Sequence, residues 1–334
     1  MKCIHNFSFA SSVLILACGV AAASPNDQSD YAVPHAMVDV GAGRRLNLFC
    51  AGEGLPSVIF EAGSGLAAWD WLLVHPAVSS RTRACVYDRA GFGFSDPANR
   101  PGTSSNAVDD LHRLLRAAGI APPYVLVGHS YGGANVQLYT YTYPQEVVGL
   151  VLVDASHEDE TERLDRITHG KFSKLTTAQN AVGEQCRTKS RSGFFPGTKA
   201  FDQCIGQPPP MFKAALAAAW LSRQMSVDFW DASESETSNQ LVSDSQLRQA
   251  RRSFGELPLV YLTHGISPWL VPGRPQSTMN KAAETDIVAT HEEVAHLSTR
   301  GSQRVVPGAA HSIHIDQPQA VINAISEVLG MARK

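Results

Sequence analysis

The sequence predicts an α/β fold: a mainly parallel, eight-stranded sheet with helices on both faces and one helical insertion. Three observations predict it. Apolar runs of strand length alternate with helical patterns over most of the 334 residues, and such alternation implies helical crossovers over a parallel sheet. The run Val147 to Val153 is apolar throughout, as in a strand buried on both faces. The alternation breaks once, between residues 157 and 254, and resumes at Leu257.

Taken in order, residues 34–40 and 45–50 flank Gly41-Ala42-Gly43 and read as a hairpin. Strands follow at 57–62 and 82–87. Val108, Leu111, Leu114 and Leu115 recur at helical spacing, so a helix spans about 105–118, and Gly119 ends it. A strand at 124–128 runs directly into a helix at 130–143, and the strand 147–153 ends at Asp154. Residues 157–254 hold two cysteines, Pro208-Pro209-Pro210 and an Ala-rich helix through Trp220, with no strand alternation. They read as a helical cap inserted into a core formed by residues 24–156 and 255–334. The core resumes with a strand at 257–262, a helix at 277–298, a strand at 303–306 and a helix at 316–330.

The chain is 44% hydrophobic and 18% charged, which suits a protein with a large core. Its formal net charge is −3 and no basic block stands out, so nucleic acid is not an expected partner. Arg251-Arg252 reads as a solvated face. Residues 1–23 differ: Lys2, an apolar stretch from Phe7 to Val20, then Ala21-Ala22-Ala23 before Ser24-Pro25. This pattern is a secretory signal peptide cleaved after Ala23, and the protein is expected in the periplasm or secreted. The alternative is a lipid anchor at Cys18, within Leu14-Ile15-Leu16-Ala17-Cys18-Gly19. Beyond this segment nothing is apolar enough to span a membrane.

Outside the leader four cysteines remain, and an even count in an exported chain suggests disulfides. Three pairings are open. Cys50 and Cys85 lie in predicted strands and Cys186 and Cys204 both lie in the insertion. The expected pairs are therefore Cys50–Cys85 and Cys186–Cys204, with four free thiols as the alternative. No Cys/His spacing resembles a zinc site.

The most informative segment is Val125-Leu126-Val127-Gly128-His129-Ser130-Tyr131-Gly132-Gly133: a strand, a Gly-x-Ser-x-Gly turn and a helix. A turn that tight lifts the Ser130 hydroxyl clear of the sheet. In a parallel sheet ligands bind beyond the carboxyl ends of the strands. Ser64, Asp88, Ser130, Asp154 and His311 all follow strand ends, so the fold gathers them on one edge.

Four blocks, in order, carry a resemblance: Glu61-Ala62-Gly63-Ser64-Gly65, Asp88-Arg89-Ala90-Gly91-Phe92-Gly93-Phe94-Ser95, Gly128-His129-Ser130-Tyr131-Gly132-Gly133, and His311 seven residues before Pro318. Together they make the chain similar to α/β-hydrolases of the serine-nucleophile type with a helical cap. The resemblance covers residues 31–156 and 255–333. It implies Ser130 as nucleophile and His311 as general base, with His314 a rival of unsuitable spacing. The acid usually follows the seventh strand, but His264-Gly265-Ile266-Ser267 holds no carboxylate. Asp154, at the alternative position after the sixth strand, is the expected acid, with Asp286 and Glu284 as rivals. The oxyanion hole would use the backbone N–H groups of Tyr131 and Ser64, or of Gly65 in place of Ser64. Asp88 and Arg89 are expected to brace that loop, and His129 to pack under the site.

The implied activity is hydrolysis of a carboxylic ester or related acyl bond through an acyl-enzyme, on a small, apolar substrate, with no cofactor or metal. Peptidase, lactonase, perhydrolase and carbon–carbon hydrolase chemistry fit the same site, as does a non-catalytic ligand-binding role. Met211, Phe212, Trp220, Met225, Phe229 and Trp230 make the insertion rich in large apolar groups, either as cap packing or as an acyl pocket. Trp69 and Trp71 are read as core or pocket wall.

Overall fold

A computed structural model describes residues 28–333; the leader assigned to residues 1–23, with Cys18, lies outside them. The chain begins with a 3-10 turn at Gln28–Ala32, then β1 (Ala36–Gly41) and β2 (Arg44–Ala51). The hairpin turn takes positive φ at Gly41, Ala42 and Gly43, which explains the flanking glycines. There follow β3 (Ser57–Glu61), a 3-10 turn at Ala68–Trp71, α1 (His75–Ser79), β4 (Ala84–Tyr87) and α2 (Ser104–Ala117). Next come β5 (Tyr124–His129), α3 (Tyr131–Thr142) and β6 (Val147–Val153). Six helices then intervene: α4 (Glu160–Thr168), α5 (Lys171–Ser190), α6 (Lys199–Cys204), α7 (Ala214–Gln224), α8 (Val227–Ser238) and α9 (Gln240–Ala250). The chain ends with β7 (Leu259–His264), α10 (Thr278–Ala295), β8 (Gly301–Val306), α11 (Ile313–Asp316) and α12 (Pro318–Ala332).

The eight strands form one sheet in the order β1-β2-β4-β3-β5-β6-β7-β8. The β1–β2 and β2–β4 pairs are antiparallel; every later pair is parallel. Successive side chains of one strand face opposite layers. Val125 and Val127 of β5 join one buried cluster with Val321, Ile325 and Val328 of α12. Leu126 joins the other, with Leu111, Leu114 and Leu115 of α2 and Val136 of α3. Each such side chain stabilises the fold by about 1.5–3 kcal/mol when fully buried. The apolar stripe read in α2 is thus its inner face, and Thr103 starts the helix by accepting the Asn106 N–H at 3.3 Å.

Cys50 and Cys85 are bonded across the β2–β4 pair, where they sit directly opposite each other. Cys186 and Cys204 join α5 to α6. One boundary differs from the sequence reading in a way that matters for the site. The seventh strand starts at Leu259, not Leu257, because Pro258 has no N–H to pair; its carbonyl still accepts from the Leu150 N–H at 2.9 Å. The strand therefore reaches two residues further and ends on His264. Among the described residues, no helix is long and apolar enough to cross a membrane.

Candidate active site

Ser130 occupies the bend between β5 and α3 with φ 52° and ψ −124°. A non-glycine residue in this region carries about 1–3 kcal/mol of strain, tolerated only where the surroundings enforce it. Close packing enforces it here. A Cβ on Gly132 would lie 2.5 Å from the carbonyl oxygens of Glu61 and Ala62, so only glycine lets helix and sheet approach. The Ser130 carbonyl accepts from Gly133 N–H at 2.8 Å and Ser156 N–H at 3.0 Å. Among the described residues four non-glycine residues have positive φ, and a second of them is Asp154, at 45°. The two strained residues end neighbouring parallel strands and line the same cavity.

His311 stands on the loop after β8. Ala309, two residues earlier, accepts from Gly265 and Ile266 N–H groups, each at 2.9 Å, which ties this loop to the end of β7. The His311 Nδ1 donates to Asp154 Oδ2 at 2.6 Å, and its side chain is half exposed. That bond fixes the tautomer and leaves Nε2 free as an acceptor. Ser130 and His311 share the cavity wall without a direct hydrogen bond among the described residues, a looseness common before a substrate binds. Asp286 sits elsewhere, paired with Arg163 at 2.9 Å. Glu284 contacts His264 rather than His311. His314 is buried against Trp71 and His129, and that burial lowers it to about 3, so it stays neutral.

Asp154 is 4% exposed and holds more than one histidine. Oδ1 accepts from the His264 backbone N–H at 3.0 Å, and both oxygens lie 2.8 Å from His264 Nδ1. Burial alone would raise its carboxyl, but the bonds from His264 and His311 hold it well below the usual carboxylate range. His129 is buried under the site, with Nε2 donating to the His311 carbonyl at 3.2 Å. Burial, with His314 and His311 nearby, pushes it well below its ordinary value and keeps it uncharged.

The loop after β3 carries the two N–H candidates for the oxyanion hole. Gly65 N–H donates to Glu236 Oε2 at 3.3 Å. Neither Ser64 N–H nor Tyr131 N–H has a partner among the described residues. Arg89 braces this loop, donating to the Ala62 carbonyl at 2.6 Å and the Gly63 carbonyl at 2.7 Å. It is held in turn by Glu61 at 3.0 Å and by Glu236 of α8 at 2.7 Å. The insertion thus reaches into the site through Glu236, which also accepts from Ser64 Oγ at 2.8 Å. Asp88 accepts from the Ala68 and Phe94 N–H groups at 2.8 and 2.9 Å and fixes the adjoining turns.

A cavity of about 480 Å³ opens beside Ser130. The sheet edge contributes Ser130, Asp154, His264 and His311; α4 and α5 contribute Glu160, Leu164, Phe172, Leu175, Thr176 and Gln179; Pro268 and Trp269, with Ile287 and His291 of α10, also line it. The aromatic groups singled out in the sequence lie elsewhere. Trp220, Met225 and Trp230 pack with Phe194, Phe201 and Ile205, while Phe229 packs on Phe92. Met211 and Phe212 lie against the main core, and Trp69 and Trp71 are buried in it. The wall residues of α4 and α5 escaped notice because they sit singly among polar neighbours, with no apolar cluster to mark them. Arg251, read as solvated, instead bonds Glu158 at 2.6 Å and His157 at 2.9 Å. Arg248 takes Asp159 at 2.7 Å, so guanidinium groups occupy the one cluster among the described residues whose ligand atoms lie close enough together to hold a metal ion, His157, Glu158 and Asp159.

The sequence matches the alpha/beta hydrolase family over residues 58–324. It is 24% identical over 272 residues to a Bacillus subtilis (strain 168) protein described as "Uncharacterized protein YqjL", covering 81% of this chain and 83% of that one. It is 34% identical over 120 residues to a 2-hydroxymuconate semialdehyde hydrolase of Pseudomonas sp. (strain CF600), covering 35% of this chain and 42% of that one. A thermophilic esterase from Thermogutta terrifontis has a similar fold, with a TM-score of 0.57 and 20% identity over 89% of this chain and 98% of that one. With the family match spanning most of its length, the chain belongs to the alpha/beta hydrolase family.

Proposed function

We propose that this protein is a serine hydrolase that cleaves a carboxylic ester or related acyl bond through an acyl-enzyme. The observation that carries the reading is the strained Ser130 beside a histidine whose Nδ1 donates to a buried carboxylate at 2.6 Å. Ser130 Oγ attacks the acyl carbon while His311 Nε2 takes its proton. Asp154 holds the imidazolium that forms. The oxyanion accepts from the Ser64 and Tyr131 N–H groups, each worth about 3 kcal/mol of transition-state stabilisation. His311 then gives its proton to the departing alcohol. Water, deprotonated by His311, then attacks the acyl carbon; the bond to Ser130 Oγ breaks, His311 returns the proton to that oxygen, and the acid leaves.

Residues 157–254 act as a cap, and Leu164, Phe172, Leu175 and Trp269 favour an apolar acyl or alcohol group. Both disulfides support an oxidising compartment, in line with the export signal read in residues 1–23. The likeness to a 2-hydroxymuconate semialdehyde hydrolase favours a second reading, hydrolysis of a carbon–carbon bond by the same serine. A fluorophosphonate probe tests the first step. It should label the wild type and not Ser130→Ala, and p-nitrophenyl esters of graded length should be turned over. An unlabelled wild type would exclude an activated Ser130 and favour a ligand-binding role.

A further inference from the structure

His264 stands at the strand end where the resemblance leads one to expect an acid, and its surroundings are unusual. Its side chain is 4% exposed. Its Nδ1 lies 2.8 Å from both oxygens of Asp154, and its Nε2 lies 3.0 Å from Glu284 Oε1. A neutral imidazole has one N–H and one lone pair, and would turn that lone pair toward one of the two carboxylates. Only a ring with a hydrogen on each nitrogen satisfies both. The same Asp154 Oδ2 accepts from His311 Nδ1. A continuous chain therefore runs Glu284, His264, Asp154, His311, from α10 across the ends of β7 and β6 to the loop after β8.

We propose that the Glu284–His264 pair is a positioning unit for the base, in which an imidazolium clamped between two carboxylates fixes Asp154 against His311. The kinetic consequence rests on the serine-hydrolase reading above; the clamp itself does not. The pair accounts for the missing acid after the seventh strand. Asp154 supplies the carboxylate from β6, and a cation occupies the vacated place. Without Glu284 that cation would offset the field that Asp154 exerts on His311. With it, the cluster of Asp154, His264 and Glu284 keeps one net negative charge facing the base.

The groups around the ring agree. Burial alone would lower His264, yet the bonds to Asp154 and Glu284 raise it to about 10. Burial alone would raise Glu284, and the His264 bond lowers it. His291, also on α10, lies 3.9 Å from Asp154 and bonds Thr263 Oγ1 at 2.9 Å. Burial lowers it to about 4, so it adds no competing charge. Glu160 and Tyr261 also lie in the field of Asp154, and burial raises both, which draws them toward their neutral forms; His311 is the other histidine bonded to Asp154. The sign follows: His264 gains its partners on folding, so their effect is complete below its ordinary 6.5 and is lost as pH rises through about 10.

The test combines long-range 1H–15N NMR of ring-labelled histidines, assigned with His264→Asn, and pH profiles of p-nitrophenyl ester hydrolysis. His264 should carry both ring protons at pH 8. In Glu284→Gln the alkaline fall in kcat should move down by at least about one pH unit, with KM within about twofold. Glu284→Asp should restore the wild-type profile. His264→Asn should lower kcat about tenfold. A singly protonated His264 ring at pH 8, or a Glu284→Gln enzyme with the wild-type pH profile, overturns the proposal. If no ester is turned over and no probe marks Ser130, the hydrolase reading fails, and the ring titration alone decides whether the clamp exists.

Discussion

The cavity beside Ser130 has two unlike sides. The sheet edge presents polar and charged groups, and short bonds fix its carboxylate and histidines: Asp154 to His311 at 2.6 Å, Asp154 to His264 at 2.8 Å. The insertion presents Leu164, Phe172, Leu175, Thr176 and Gln179, with Glu160 the one charge among them. Burial raises the Glu160 carboxyl, so even this group is drawn toward the neutral form. On the proposed reading, the contrast puts reaction and selection on separate parts of the chain. The sheet edge holds its side chains in place through strand ends and strained φ angles. The insertion holds a surface, formed by side chains of α4 and α5. Among the contacts that cross between them, Glu236 of α8 meets Arg89 and Ser64, and Tyr131 meets Ser243 of α9.

The sharpest way to break this comparison is to test whether one carboxylate of the edge stands apart from the others. Asp154→Asn keeps the shape but puts an amide where His311 needs an acceptor, so kcat should fall by about 10⁴-fold. Asp286→Asn removes a half-exposed partner of Arg163 and should leave kcat within about twofold. Steady-state rates on one p-nitrophenyl ester decide it. Near-wild-type turnover in Asp154→Asn with a large loss in Asp286→Asn would mean that α10, not the end of β6, supplies the acid.

A smaller effect is expected on the insertion side. Phe172 packs with Leu164 and Ile287 on the cavity wall. Phe172→Ala removes apolar contact from any substrate group that reaches it, at about 25 cal/mol for each Å² lost. KM for long-chain esters should rise about fivefold, with a smaller change in kcat. A loss confined to kcat would contradict the division of labour.

The two sides also differed in how far they could be read from sequence. Strand ends announce themselves: an apolar run stops, and Ser130, Asp154 or His311 follows. That rule located the edge because parallel sheets align all their carboxyl ends. It failed at His264, where Pro258 displaced β7 by two residues and a histidine stood in place of an acid. The partner Glu284 lies 20 residues away on a helix, and only the folded α10 brings it to the ring. In the insertion the reading left two possibilities open, packing or an acyl pocket. Trp220 and Trp230 pack with Phe194, Phe201 and Ile205 of the insertion, the first of those two possibilities, because their size draws them into its interior. The smaller groups on α4 and α5 are left to face the cavity.

If the insertion stabilises itself independently of the edge, its disulfide should matter for stability and not for turnover. Cys186 and Cys204 are 18 residues apart and join α5 to α6, away from the cavity wall. Closing a loop of that length stabilises by about 3 kcal/mol, chiefly by restricting the unfolded chain. Cys186→Ser with Cys204→Ser should therefore lower the midpoint of thermal unfolding while kcat on a short ester stays within about twofold. Calorimetry and initial rates on the same preparation measure both. Phe172 and Leu175 sit at the start of the helix that Cys186 anchors near its other end. A large fall in kcat would mean that this helix acts on the edge as well as on the substrate, and that the two sides of the cavity work as one.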